Sequence, residues 1–239
     1  MFKLRSYQKE LLDEADIRPE LLFQNLRELE FINKYLGGHR ISILGLKRLL
    51  SQCHSFSNRT IVDIGCGGGD SLKALSNWAK SQQQTPSFIG IDLKDDCIQF
   101  AKANCQTFPD IQFLCDDFRN VFDRNEVHIV HASLFCHHFR EEEIVSFLKL
   151  CNQHKAIFVI NDLERNPLAY YSIKWLTRLF SKSPLVKHDA PLSVKRGFKK
   201  TEWKVMLEQA GIQNYSIQNY WAFRHLIIAY PFSTYKGVL

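Results

Sequence analysis

Asp63, Gly65, Gly67 and Gly69 stand together in Asp63-Ile64-Gly65-Cys66-Gly67-Gly68-Gly69-Asp70, and a further acid, Asp92, lies 23 residues beyond Gly69. Alternating glycines permit backbone conformations closed to other residues and let a ligand come against the main chain with no Cβ in the way. An acid about 20 residues past such a turn is spaced to accept hydrogen bonds from ribose hydroxyls. Asp70 occupies the place of the last glycine of a dinucleotide-type turn, which disfavours a nicotinamide-dependent oxidoreductase. Asp116-Asp117-Phe118 adds a carboxylate for the amino hydrogens of an adenine and an aromatic ring to flank it. Cys66, Leu93 and Ser133 adjoin these positions and complete the expected ligand-binding set. A second group of residues is suited to proton transfer. His137 and His138 follow an apolar run, and His188, Asp189 and Arg196 share the stretch 183–198. Imidazole accepts protons near neutral pH, so His188 with Asp189 and Arg196, joined by His137, is the expected acceptor-side catalytic cluster.

These residues need elements to hold them. The β-branched run Thr60-Ile61-Val62-Asp63-Ile64 leads into the glycines, and Leu72, Leu75 and Trp78 then repeat at helical spacing, which predicts a strand, a turn and a helix. Ser87–Asp92, 111–115, 127–133 and 156–160 read as four more strands with helices between them. Alternation of this kind predicts right-handed crossovers and a parallel sheet that binds ligands beyond the carboxyl ends of its strands. The glycines, Asp92, Asp116, His137 and Asp162 all fall at such ends. Residues 1–58 read as a helical cap, with an apolar face of Leu22, Leu26, Leu29, Ile32 and Leu36 stopped by Gly37-Gly38, and with Tyr35, Gly38 and His39 as candidates to cover a substrate. Residues 59–239 form the expected main domain. Within it, 163–200 is an insertion, with a helix from Pro167 to about Ser181, a loop over 183–198 and a following helix capped by Thr201. A lid or binding loop is the usual role of an insertion this long. Its basic residues suit an anionic substrate, and the aromatics among them allow transient membrane contact. The segments 215–220 and 223–230 read as two antiparallel closing strands.

At 239 residues and 45% apolar content the chain can bury one substantial core. A formal net charge of +6, spread without a long basic run, does not indicate nucleic acid. Seven cysteines form no C-x-x-C pair, which fits free thiols better than zinc or disulfides. No run approaches the roughly 20 apolar residues of a membrane span, and the first residues lack a signal-peptide core. A cytoplasmic protein with no stable membrane insertion, monomeric or homodimeric, is the expectation.

The chain resembles the class I S-adenosylmethionine-dependent methyltransferases in Val62-Asp63-Ile64-Gly65-Cys66-Gly67-Gly68-Gly69, Gly90-Ile91-Asp92-Leu93, Cys115-Asp116-Asp117-Phe118 and Leu134-Phe135-Cys136-His137-His138-Phe139. The double histidine is similar to the ubiquinone and menaquinone methyltransferase group. Leu36-Gly37-Gly38-His39, Asn161-Asp162-Leu163-Glu164-Arg165 and residues 188–198 resemble small-molecule methyltransferases of polyketide and pigment pathways, hence of secondary metabolism. The resemblance implies an α/β, Rossmann-like, seven-stranded, mostly parallel sheet with a reversed last strand. It also implies S-adenosyl-L-methionine over the glycines, with Asp92 on the ribose and Asp116 near the adenine. Cys115 and His128 depart from the family pattern, which more often has glycine and aspartate there. The expected reaction is O-methylation of a hydroxylated aromatic or polyketide-like metabolite, with C-methylation of a quinone-like ring as the alternative. A nucleic-acid methyltransferase is disfavoured because Ala132-Ser133-Leu134-Phe135 stands in place of an (Asn/Asp)-Pro-Pro-aromatic motif. A non-catalytic S-adenosylmethionine-binding protein is the remaining alternative.

Overall fold

The computed structural model describes residues 2–14 and 16–231. Helices α1 (Pro19–Tyr35) and α2 (Gly38–Cys53) precede the first strand. Pro19 stands in the first turn of α1, where the missing N–H costs nothing. Gly37, at φ +79°, makes the turn between the two helices. Strands and helices then alternate through β1 (Thr60–Ile64), α3 (Asp70–Ser81), β2 (Ser87–Asp92), α4 (Asp95–Asn104), β3 (Ile111–Cys115), the short α5 (Val121–Arg124), β4 (Ile129–Ser133), α6 (Glu141–Gln153) and β5 (Ile157–Leu163). Helices α7 (Pro167–Phe180), α8 (Pro184–Arg196) and α9 (Lys200–Gln209) lead to the hairpin β6 (Asn214–Tyr220) and β7 (Arg224–Tyr230).

The seven strands form one sheet in the order β3-β2-β1-β4-β5-β7-β6. Six run in one direction, and β7 runs antiparallel to its neighbours β5 and β6. This is the expected α/β architecture with its reversed last strand. Alternate residues of each strand feed two cores. Val62, Val130, Phe158 and Ile227 pack on one face with α6 and α9, while Ile61, Ile129, Val159 and Leu226 pack on the other with α2 and α3. Strands covered on both sides read as continuous apolar runs, which is why Ile61-Val62 and Ile157-Phe158-Val159-Ile160 carry no polar alternation.

Helix α2 therefore covers the sheet, and its Gly45 lets the helix lie on Val159 and Leu226, which a Cβ would meet at 2.8 and 3.1 Å. In contrast to the expected loop over 183–198, residues 184–196 are helical. Ser183 caps α8 by accepting from the N–H of Val186, and Pro184 suits the first turn. Pro191 and the absence of a single apolar stripe hid this helix. α8 is buried on several sides at once, through Leu185, Val186, Leu192 and Val194, between α7, α1 and the chain's first residues. The helix after it is capped at Lys199, two residues before the expected Thr201, with Glu202 accepting from the Lys199 N–H at 2.7 Å.

Candidate active site

The cavity opens at the carboxyl ends of β1, β2 and β4 and has a volume of about 520 Å³, within the usual range for small-molecule clefts. Its floor is the glycine turn. Gly65, Gly67 and Gly69 adopt φ of +65°, +49° and +74°, so the β1–α3 connection is closed to other residues without strain. At Gly65 a Cβ would also stand 2.0 Å from the Phe135 ring. Beneath the turn, the fully buried His131 joins Asp63 at 2.6 Å through Nδ1 and Ser42 at 2.8 Å through Nε2. Asn161 donates to Ser42 and to the Gly38 carbonyl. A buried polar chain thus locks β1, β4, β5 and α2 together below the loop. Burial raises the Asp63 carboxyl above its ordinary range against the opposing pull of His131.

Asp92 ends β2 and accepts from the N–H of Gly67 and of Lys94, each at 3.0 Å. No cationic side chain forms a salt bridge with it among the described residues, and burial pushes its carboxyl up. Asp63, Gly65, Cys66, Gly67, Leu93, Asp116, Phe118 and Ser133 share the wall with Asp92. Gly69 and Asp117, also expected at the ligand, lie outside it. Gly69 is the N-cap of α3, and the Asp117 carboxylate is taken by the backbone and side chain of Arg119. Asp116 points part of its capacity outward, accepting from Asn120 at 2.9 Å and pairing with Arg124 at 3.1 Å. After β4, Leu134 takes a left-handed backbone at φ +52° on the cavity wall, a strained conformation of the kind found at ligand sites.

The other half of the cavity is built by the first residues, by the turn after β4 and by α8. Arg5, Tyr7, Leu12 and Asp13 line it with His138, Phe139, Arg140 and Arg196. The 3-10 turn Leu11–Asp13 is held by Asp189, whose two carboxylate oxygens accept from the N–H of Leu11 at 2.8 Å and of Leu12 at 2.9 Å. Arg196 donates to the carbonyls of His137, His138 and Gln8 and to Asp13. His138 is held through Nδ1 by Asp13 at 2.8 Å, and its Nε2 stands 3.9 Å from Glu10, beyond hydrogen-bond reach. Arg5 reaches the His137 carbonyl through Nη2, whereas its buried Nη1 makes no hydrogen bond and stands 3.6 Å from Glu141 as an ion pair.

The structure separates the expected catalytic residues. Arg196 is on the cavity wall, but His188 is 41% exposed at its side chain and pairs with Asp189 outside the cavity. Asp189 is the cap just described. His137 is 2% exposed and also off the wall, clasped between Asp162 at 2.7 Å and Glu10 at 3.5 Å. Burial alone would lower its imidazole, but Asp162 and Glu10 lift it to about 9. Glu10, His137 and His138 bring three candidate metal-ligand atoms within 4.8 Å of one another. The charge of Glu10 is already met by His137 and by Arg196 at 3.7 Å, and Ser193 donates to the same carboxylate. Tyr35 points to solvent and His39 binds Asp70 at 2.6 Å, so α1 contributes Leu26, Leu29 and Asn33 to the cavity instead. Sequence reading missed the first residues altogether, because Arg5, Glu10 and Asp13 carry no local pattern and acquire meaning only from α8. His131 was hidden by its place inside a strand.

The sheet order with its reversed β7 is the Rossmann-like methyltransferase fold, and residues 61–155 match the family model described as a methyltransferase domain. In sequence, the chain is 30% identical over 125 residues to a putative methyltransferase, 235L, of Invertebrate iridescent virus 6, a stretch covering 52% of this chain and 44% of the viral protein. The chain thus spans less than half the length of that relative. In structure, it is similar to the plantazolicin methyltransferase BpumL in complex with S-adenosylhomocysteine, with a TM-score of 0.64, 14% identity and coverage of 89% of this chain and 95% of that one. Human N-acetylserotonin methyltransferase in complex with S-adenosylmethionine gives a TM-score of 0.62 at 16% identity, covering 90% of this chain and 56% of that one.

Proposed function

We propose that this protein methylates a small molecule from S-adenosylmethionine, and that the acceptor is a hydroxyl of an aromatic or polyketide-like metabolite. The residues present suit the cofactor. Asp92 is a half-buried carboxylate on the cavity wall that forms no salt bridge among the described residues, and each of its oxygens, holding one backbone N–H, keeps capacity for a vicinal ribose hydroxyl. Gly65, Gly67 and Gly68 present no Cβ to the floor where the ligand would lie. When bound, the cofactor supplies an electrophilic methyl group on a positively charged sulfur.

The observation that carries the acceptor reading is Arg5, whose buried Nη1 makes no hydrogen bond and only a 3.6 Å ion pair with Glu141, on the same wall as a histidine whose Nδ1 is committed to Asp13. With Nδ1–H donating to Asp13, His138 Nε2 carries a lone pair and takes the acceptor hydroxyl's proton. The oxygen so deprotonated would be the nucleophile for the methyl group that the cofactor supplies, with the sulfur as leaving group. Arg5 stabilises the negative charge that develops on the oxygen, because a charged donor in a desolvated site is worth more than in water. Tyr7, Phe118, Phe135 and Phe139 give a flat acceptor aromatic faces to pack on. Alignment of oxygen, carbon and sulfur supplies much of the remaining rate.

Incubation of the full chain with methyl-labelled S-adenosylmethionine and a panel of hydroxylated aromatics tests the proposal, with bulk RNA as the control. Label on the oxygen of an aromatic supports it. Label on ring carbon would favour the quinone-type alternative, and label in RNA alone would overturn both.

A further inference from the structure

Helix α7 turns its large apolar side chains outward. It buries only Ala169, Tyr170 and Thr177, while Leu168, Tyr171, Trp175, Leu176, Leu179 and Phe180 are 42% to 77% exposed. Leu168, Tyr171, Trp175 and Leu179 recur at intervals of three and four and so form one stripe along the helix, which Leu176 and Phe180 widen. Single exposed apolar residues are ordinary, but six on one helix are a patch. The patch continues onto α1. Glu28 receives the end of α7 through the Ser181 hydroxyl and the N–H groups of Lys182 and Ser183. Phe31 and Tyr35, three and seven residues further along α1, have tilted rings with centroids 4.4 Å apart and are 61% and 64% exposed.

Along α7 and the start of α8 the charge has one sign. Residues 165–188 contain no aspartate or glutamate, and Lys174, Arg178, Lys182 and Lys187 are exposed and make no salt bridge among the described residues. A second copy of the chain would bring these four cations against their own kind. The apolar side chains stand on a convex helix rather than in a groove, whereas protein partners are anchored in pockets. Tryptophan, tyrosine and leucine flanked by lysine and arginine suit the boundary between lipid headgroups and acyl chains. No helix among the described residues is long and apolar enough to cross a membrane, so contact would be at the surface.

We propose that α7 is an interfacial helix that seats the protein on an anionic lipid surface, with Trp175, Leu179 and Phe180 entering the headgroup boundary and Lys174, Arg178, Lys182 and Lys187 meeting acidic headgroups. The helix packs on α8, which carries Arg196 to the cavity. The site would thereby stand one helix away from the lipid. Membrane seating does not depend on methyl transfer, and its test needs neither cofactor nor acceptor.

The full chain is sedimented with vesicles of phosphatidylcholine alone and of phosphatidylcholine mixed with phosphatidylglycerol. The expected result is binding to the mixed vesicles, at least tenfold weaker on phosphatidylcholine alone, and loosened by salt. Lys174→Ser with Arg178→Ser should weaken binding to mixed vesicles by about fivefold per cation removed. Trp175→Ser with Phe180→Ser should weaken it at least as much, with an unchanged melting temperature, since both side chains are exposed. No sedimentation with mixed vesicles would overturn the proposal, as would equal binding by the variants. So would a dimer that Trp175→Ser with Phe180→Ser dissociates, or retention on polyglutamate without vesicle binding, which would mark an acidic protein partner.

Discussion

Asp92 and His138 divide the chemistry between them at the level of single side chains. Asp92 already satisfies two backbone donors, so Asp92→Ala removes the acceptor for the ribose hydroxyls and also frees the N–H of Gly67 beside the ligand. Hydrogen bonds to a charged group are worth about 1.5–3 kcal/mol. Affinity for S-adenosylhomocysteine, measured by calorimetry, should therefore fall by roughly 10- to 150-fold, and an unchanged affinity would refute the ribose assignment. The histidines separate by position. His138 faces the cavity with Nδ1 anchored, whereas His188 is an exposed neighbour of a helix-turn cap. His138→Ala should lower kcat by about 100-fold or more, the usual contribution of a general base, with cofactor affinity little changed. His188→Ala should leave kcat close to that of the unaltered protein. The reverse ranking would return the base to α8.

Elements meet at two points where the sequence offered little warning. The α7–α8 insertion leaves the sheet after β5 and returns beside it, where Glu164 bridges Phe198 and Arg165 donates to the Gly197 carbonyl at 2.8 Å and to Glu202. At Gly197 a Cβ would stand 2.5 Å from the Leu163 carbonyl oxygen, which backbone cannot yield cheaply. Gly197→Ala should lower stability by about 1–3 kcal/mol, the usual overpacking cost, seen as a lower urea midpoint. The second point is His137, which clasps β5 through Asp162 and the first residues through Glu10. Its imidazole is raised from 6.5 to about 9, so the stabilisation is fully present below about pH 6.5 and is lost as pH rises through about 9, on the order of 3 kcal/mol. The melting temperature should fall across that window, and His137→Gln should start lower and flatten the slope. The strand ends and the glycine turn were legible because β-branched runs, glycine spacing and acids at strand ends are local signals. Helix α8 was not legible, since its several buried faces erase the 3.6-residue stripe. The clasp was not either, because Glu10, His137 and Asp162 are far apart in the chain and meet only through packing.

At the scale of the whole molecule, the cavity has two makers. The sheet and its glycine turn supply the half with Asp63, Gly67 and Asp92, and neither sheet-face core contains a residue from 2–14. The first residues supply Arg5, Tyr7 and Asp13 to the other half and are tied down by Asp189, Arg196 and Arg165. The division predicts that the two halves can be separated experimentally. A variant lacking residues 2–14 keeps both cores and should fold, with a lower melting temperature because Glu10 no longer meets His137 and Arg196. Its affinity for S-adenosylhomocysteine should stay close to that of the full chain, since Asp92 and the glycines are untouched. Methyl transfer should be lost, because the Arg5 donor and the Asp13 anchor of His138 leave together. Calorimetry and turnover on the same preparation decide the matter. If cofactor affinity collapsed along with turnover, the first residues would belong to the cofactor half, and the acceptor would have to be held by α8 and the turn after β4 alone.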